Sequence, residues 1–388
     1  MTDTKDIIQH LRNLLNADAN LQKRLQQWLH CTELQNPDPQ TNPVRSLDDL
    51  YTWLERFLTV MPWEGLAIGA KNKDRYAERA KSKEQGAKTA GPKDQGLFRR
   101  IDQSIGYQYY IFGDLQYEQQ IAEWLKRYNA AWAEHLNSSE SWNNEYYELL
   151  RTDPLFELDT DKYESPDHWH CWNDFFSRRL NRNSQVPVVA EGQQYPWLQI
   201  DADSKLHVPE AIKTTDIFDI KALLSNSRYN EAFANGSFTH ITLDMYNYHH
   251  FHSPVDGKIV DIQDIDGQLS SGGKIIWDAE QNRYRYRYAD NIGYQMIEKR
   301  VTIVIEQGAK SKEQGIKSKE QGAKNKEQGY LTAIIPIGVA QVGSVYIEKD
   351  IQVGAEVHRG QDLGHFLCGG SDVIVLRSND QRSTTNDQ

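Results

Sequence analysis

The sequence predicts an α+β protein in which a helical N-terminal region precedes a β-rich core. Two observations support this prediction. Over residues 4–142 the apolar residues recur three or four positions apart, which is the spacing of amphipathic helices. From about residue 172 onward they occur instead in short β-branched runs separated by Gly, Asp and Asn. We therefore expect a helical domain over residues 1–150, a β-rich domain over residues 165–378 and a disordered tail over residues 379–388.

Length and composition fit two globular domains. The chain has 388 residues, of which 38% are hydrophobic and 11% aromatic, enough to build two cores. Its formal net charge of -11 disfavours a nucleic-acid-binding surface, because neutralising phosphates requires clustered Lys and Arg.

Cysteine usage and hydropathy predict the compartment. The three cysteines are odd in number and widely spaced, which fits neither a disulfide framework nor a zinc site: Cys31, Cys171 and Cys368. There is no basic, apolar leader at the N-terminus and no apolar run of about 18 residues or more. We expect a cytoplasmic protein with no transmembrane segment.

In the helical region, Ile7, Leu11 and Leu14 mark the first helix, and Ile121 and Trp124 mark a later one. Residues 53–63 are rich in Trp, Leu and Phe. Such a segment can lie on a membrane surface, but it is more often a core helix.

The β-rich region contains several recognisable strands. Residues 258–262, 301–305 and 333–337 are short apolar runs, and the last two are expected to form one hairpin. Residues 283–288 alternate Arg with Tyr, as in a half-buried strand. A seven-residue repeat fills residues 307–329; because it lacks the apolar pair of a coiled-coil heptad, we interpret it as a solvated insertion.

Two segments carry the chemistry. Ser371 follows two glycines and precedes an apolar strand, a place where a hydroxyl can fold back onto its own preceding carbonyl. Residues 248–257 hold three imidazoles, those of His249, His250 and His252, ahead of a Pro and a Gly. Imidazole is the side chain best suited to move protons near neutral pH. If this His box forms a helical turn, His249 and His252 share one side and His250 points elsewhere.

Together these segments resemble the phosphatidylserine decarboxylase family, whose members carry a Tyr-His-x-x-His-x-Pro-x-x-Gly box and a C-terminal Gly-Ser cleavage site. Further segments match in the same order: residues 172–180, 201–204, 342–345 and 358–364. The resemblance covers roughly residues 172–376 and implies a β-rich decarboxylase core. Two positions depart from the pattern, since Ser204 replaces a Gly and Asp372 replaces the Thr or Ser after the cleaved serine.

The resemblance implies a self-processing enzyme. The Ser371 hydroxyl would attack the carbonyl of Gly370, and elimination would leave a covalent pyruvoyl cofactor on the fragment that begins at residue 371. His252 is the implied base for Ser371, Asp203 the implied residue that orients His252, and His249 the implied residue of the decarboxylation step. The two cleavage fragments are expected to remain associated.

The resemblance also implies a substrate class. The pyruvoyl group would condense with a substrate amine in a Schiff base and accept electrons as carbon dioxide leaves. Because the N-terminal region is helical and polar, the chain looks closest to the soluble L-tryptophan decarboxylase-like branch, so an aromatic amino acid is the expected substrate. Phosphatidylserine is the alternative, and a non-catalytic binding module on the same fold is a second alternative.

No metal is expected from the sequence. The three imidazoles of the box, together with His168, His170 and Cys171, are potential ligands, but they show no metal-binding motif of fixed spacing.

Overall fold

The computed structural model describes residues 4–39, 42–59, 105–151, 154–207, 217–225, 227–267, 273–278, 283–288, 295–308, 329–339, 344–367 and 370–379. Several predicted features lie outside these residues. They are the repeat insertion apart from its ends, the tail from residue 380, Val342 and Gly343, and the Cys368–Gly369 pair before the cleavage site.

The N-terminal region is helical, as predicted. Asp18 and Ser46 cap the second and third helices by accepting hydrogen bonds from backbone N–H groups of the first turn, the usual role of these residue types at a helix start. The helices are α1 (Thr4–Ala17), α2 (Ala19–Gln35), α3 (Leu47–Phe57), α4 (Ile105–Phe112), α5 (Gln119–Leu136), α6 (Asn144–Arg151), α7 (Trp172–Phe176) and α8 (Ile220–Leu224).

The described part of segment 53–63 belongs to the core. Trp53 and Phe57 of α3 are 4% and 1% exposed. A hydrogen bond ties α3 to the neighbouring helix α5, because the Tyr128 hydroxyl of α5 donates to the carbonyl of Leu54 in α3 at 2.7 Å. The core-helix interpretation is confirmed for these residues. No helix among the described residues is both long and apolar enough to cross a bilayer.

The C-terminal region is built of antiparallel strands. The strands are β1 (Gln193–Gln194), β2 (Leu198–Gln199), β3 (Lys205–His207), β4 (Ile217–Asp219), β5 (Ser237–Leu243), β6 (His250–His252), β7 (Gly257–Ile265), β8 (Gly273–Asp278), β9 (Arg283–Tyr288), β10 (Arg300–Gln307), β11 (Tyr330–Val339), β12 (Val345–Ile347), β13 (Glu356–Val357), β14 (Asp362–Phe366) and β15 (Gly370–Arg377). The main sheet has the order β1-β5-β15-β11-β10-β7-β13, with β2 also paired to β5, and a smaller sheet has the order β12-β14-β6.

The predicted hairpin is confirmed. Strands β10 and β11 pair antiparallel from Arg300 opposite Ile337 to Gln307 opposite Tyr330. The repeat insertion therefore joins the two strands at the Tyr330 end of β11.

Strand β15 lies inside the main sheet, paired on one side with β5 and on the other with β11. Its side chains alternate between two cores. Val373 and Val375 join an apolar cluster that also contains buried residues of the helical region, whereas Ile374 and Leu376 join a second cluster with α8. By the same alternation, Ser371 faces the first cluster and Asp372 the second.

Candidate active site

Ser371 lies one residue inside β15 and is 4% exposed. It pairs with Leu243 of β5 and Gly338 of β11. Its Oγ lies 2.9 Å from Nδ1 of His249, which is hydrogen-bonding distance. The structure thus brings two of the predicted site residues into direct contact.

The hydrogen bonds and the burial of His249 indicate which ring nitrogen carries a proton and that the ring is neutral. Its Nε2 lies 3.4 Å from the carbonyl oxygen of Met245, and a carbonyl can only accept, so Nε2 carries the proton. Nδ1 then presents a lone pair to the hydroxyl of Ser371. Burial, and next the positive charge of Arg178, hold the pKa of His249 well below its ordinary value. The imidazole is therefore a neutral base that faces the serine.

Helix α7 positions the aromatic ring that stacks on His249. The Cys171 Sγ caps this helix by accepting from the backbone N of Asp174, while the Asp174 carboxylate accepts from the backbone N of Cys171. The helix ends at Phe176, whose ring stacks on the His249 imidazole at a centroid distance of 3.8 Å. The stacked ring fixes the plane of the base.

Arg178, just after α7, holds the loop that leads into the His box. It is 1% exposed, and its Nη2 donates to the carbonyls of Tyr246 (2.6 Å) and Asn247 (2.9 Å). The sequence analysis included Arg178 in a family segment but gave it no role. The signal was an arginine placed two residues after an aromatic pair, Phe175 and Phe176.

The His box does not form the helical turn considered above. His250, Phe251 and His252 form strand β6, which pairs with β14. Residues three apart in a strand face opposite sides. Pairing with β14 supplies backbone hydrogen bonds that a single isolated turn would lack, so the strand is preferred.

His252 is bonded away from Ser371. Its Nδ1 lies 3.1 Å from the carbonyl oxygen of Gly360, and its Nε2 lies 3.1 Å from the hydroxyl of Tyr248. Burial lowers the pKa of His252 and raises that of Tyr248, so both groups are neutral near pH 7. The position expected of His252, next to the serine, is the one that His249 takes.

Asp203 lies at the other end of the sheet. It is exposed, in a turn where its backbone N binds the Asp201 carboxylate. This turn bonds to Asn235 and Gly236, beside the end of β15 at Arg377. At about 3.3 Å per residue, that end lies roughly 20 Å from Ser371. The described residues thus do not bring Asp203 together with Ser371.

Asp372 does not share the surroundings of Ser371. It is fully buried on the opposite face of β15, where its Oδ1 lies 2.5 Å from Nε2 of His240 and its Oδ2 accepts from Nε2 of Gln295 at 3.1 Å. Its carboxylate therefore has polar partners of its own and is directed away from the Ser371 hydroxyl.

Comparison with known proteins matches residues 172–388, more than half of the chain, to the family described as phosphatidylserine decarboxylase. A phosphatidylserine decarboxylase proenzyme 2 of Oryza sativa subsp. japonica is 25% identical over 270 residues, 67% of this chain and 37% of that protein. An L-tryptophan decarboxylase of Psilocybe cubensis is 27% identical over 229 residues, 55% of this chain and 48% of that protein.

A phosphatidylserine decarboxylase proenzyme of Fusobacterium nucleatum subsp. nucleatum is 24% identical over 228 residues, 57% of this chain and 64% of that protein. The chain spans between 37% and 64% of the length of these three relatives. Because the family match covers more than half of the chain, including the His box and Ser371, the chain belongs to the phosphatidylserine decarboxylase family.

Proposed function

We propose that this chain is a self-processing, pyruvoyl-dependent decarboxylase in which His249 is the base for Ser371. The observation that carries the proposal is the 2.9 Å contact between Ser371 Oγ and His249 Nδ1. A serine hydroxyl is a weak nucleophile until an adjacent base accepts its proton. His249 is neutral, buried and correctly protonated for that step.

The self-processing reaction follows from these groups. His249 takes the hydroxyl proton as Ser371 Oγ attacks the carbonyl carbon of Gly370, and the proton passes to the departing Ser371 nitrogen. The peptide C–N bond breaks and an ester joins the two segments. Loss of the Ser371 α-proton then breaks the Cβ–Oγ bond, which frees the Gly370 carboxylate. One water hydrolyses the remaining enamine nitrogen as ammonia and leaves a ketone at residue 371.

The site fits a pyruvoyl group at residue 371. Ser371 is buried, and the His249 imidazole beside it would donate a hydrogen bond from Nδ1 to a ketone oxygen once that nitrogen holds a proton. A pyruvoyl ketone supplies the electron sink for decarboxylation of an amine-bearing substrate. The role of His249 after processing is to hold or return a proton at the reacting carbon, with Phe176 fixing the plane of its ring.

The sheet explains how the two fragments would stay together. Residues 371–377 pair with β5 on one side and β11 on the other. Cutting before Ser371 leaves this strand inside the sheet with both sets of backbone hydrogen bonds. We propose that both fragments remain in one folded unit.

For the substrate we propose an aromatic amino acid, with phosphatidylserine as the alternative. Both activities are named among similar proteins, with 27% identity to an L-tryptophan decarboxylase and 25% to a phosphatidylserine decarboxylase proenzyme. A cytoplasmic location stays a proposal that rests on cysteine usage.

Intact-mass spectrometry of the purified chain tests the processing step. We expect two fragments that divide between Gly370 and Ser371, with the smaller fragment lacking a free amine, and an uncut Ser371→Ala variant. His249→Asn should remain uncut, while His252→Asn should still be cut. The reverse pattern would return the role of base to His252, and an uncut native chain would favour the non-catalytic binding module.

Substrate choice is tested with the processed protein. Carbon dioxide release is measured from L-tryptophan, L-tyrosine and L-phenylalanine, and separately from phosphatidylserine in mixed micelles. Turnover of an aromatic amino acid, and none by Ser371→Ala, supports the proposal. Turnover of the lipid alone would replace it with the alternative.

A further inference from the structure

A cluster of imidazoles and carboxylates lies on the small sheet, on the far side of the His box from Ser371. His365 of β14 pairs directly with His250 of β6, and Tyr346 of β12 pairs with His365. Glu348 follows β12 and is tied to β14 by a backbone hydrogen bond to Leu363. Residues far apart in sequence are thereby placed side by side.

We propose that His250, Glu348 and His365 bind a divalent transition metal of the Zn²⁺ type, with Asp362 placed to be a fourth ligand. One potential ligand atom from each of the first three lies within 4.8 Å of the others. In a tetrahedral zinc site with bonds near 2.1 Å, ligand atoms are roughly 3.4 Å apart, so a shift of about 1 Å would close the site.

The hydrogen bonds of His250 call for a positive species at its Nδ1. Nε2 lies 2.9 Å from the carbonyl oxygen of Ser177, so this nitrogen donates. Nδ1 lies 2.8 Å from the Asp362 carboxylate, which also accepts. A proton therefore lies between them, and a metal ion would take its place when the two atoms move apart to the roughly 3.4 Å that separates zinc ligands. Donation of the second ring N–H to a carbonyl is the usual arrangement of a metal-bound histidine.

His365 supplies a second ring nitrogen that faces a carboxylate. Its Nδ1 is buried, makes no well-aligned hydrogen bond in the described part of the chain, and lies 3.4 Å from Oε1 of Glu348. A nitrogen and an oxygen at this separation match the spacing of two ligands of one zinc ion.

The local charges favour a cation. Asp362 and Glu348 both contact the guanidinium of Arg179, at 3.2 and 3.1 Å, which leaves one negative charge for the Nδ1 proton of His250, or for a metal ion in its place, to balance. Arg179 is 52% exposed and lies on the solvent side, so it can swing away when a metal binds. Metal binding displaces the Nδ1 proton of His250 to solvent.

The test is Zn²⁺ binding to the full chain after chelator treatment, measured by competition with a chromophoric chelator. We expect one Zn²⁺ per chain, and at least about tenfold weaker binding in His365→Asn and Glu348→Gln. His358→Asn is the matched control, because His358 is 84% exposed and lies in the turn before β14. It should bind as tightly as the native chain.

Two further measurements distinguish the loss of a metal ligand from a loss of folding. Zn²⁺ should raise the Tm of the native chain and of His358→Asn but not that of His365→Asn, whose metal-free circular dichroism should be native. Bound Co²⁺ should show the visible absorption of a tetrahedral nitrogen and oxygen site. Native-like Zn²⁺ binding by His365→Asn and Glu348→Gln, or no binding by the native chain, would overturn the proposal. None of these readouts depends on self-cleavage.

Discussion

Ser204 offers a quantitative test of the structure, because it stands where the family pattern has glycine. Its φ is +61°, in the left-handed region that favours glycine. It is fully buried, and its Oγ has no hydrogen-bond partner among the described residues. We predict that Ser204→Gly stabilises the protein.

The magnitude follows from three contributions. Relief of the left-handed conformation gives about 1 kcal/mol, and removal of a buried, unpartnered hydroxyl gives about 1–3 kcal/mol. The greater freedom of glycine in the unfolded chain costs about 0.5–1 kcal/mol. The expected net gain is therefore about 1–3.5 kcal/mol.

The assay is urea unfolding of the uncut Ser371→Ala chain, with and without Ser204→Gly, so that one chain unfolds in both cases. Ser204→Ala is the control: it removes the hydroxyl but keeps Cβ, so it should be less stable than Ser204→Gly. With Ser371 intact, Ser204→Gly should leave self-cleavage unchanged. A Ser204→Gly chain less stable than its parent would refute this account of the turn.

Four other predictions concern Ser371, its base and its strand. Because burial lowers the pKa of His249, the rate of self-cleavage should stay constant as pH falls through 6.5, the ordinary histidine value, and should fall only at lower pH. If the rate, measured at a series of pH values, were half-maximal at pH 6.5, the lowered pKa of His249 would be contradicted. Because the unfolded chain takes up this proton first, stability should also fall as pH drops below 6.5. The processed fragments should elute together in size-exclusion chromatography and separate only in denaturant, whereas separation in native buffer would contradict the pairing of β15. Asp372→Thr should change the cleavage rate, measured by mass spectrometry, by no more than about twofold. It should lower the Tm, because it removes a buried partner of His240 and Gln295. Much faster cleavage would mean that the charge of Asp372 affects Ser371.

The helices and the main hairpin could be predicted from the sequence because they depend on local patterns. Helical spacing around Ile7 and Trp124 and the apolar runs at residues 301–305 and 333–337 are both readable without tertiary information. Ser371 could be chosen for the same reason, since its glycines and the following strand are contiguous with it.

The spacing of the histidines in the sequence could not show which of them contacts Ser371. His249 and His252 are equivalent in a short motif, and which one meets the serine depends on where β6 begins and how β14 pairs with it. Asp203 illustrates the same limit, because its distance from Ser371 is set by the length of β15. The cluster of His250, Glu348 and His365 arises only when three strands meet.

The β10–β11 hairpin gives the fold a tolerant attachment point. Its insertion leaves β10 at Gln307 and enters β11 at Tyr330, whereas Gly338, at the other end of β11, pairs with Ser371. Eight residues of paired strand, about 26 Å, separate the two positions. A fluorescent label, an affinity tag or a whole fusion partner inserted between residues 309 and 328 would therefore be attached to the sheet about 26 Å from Ser371.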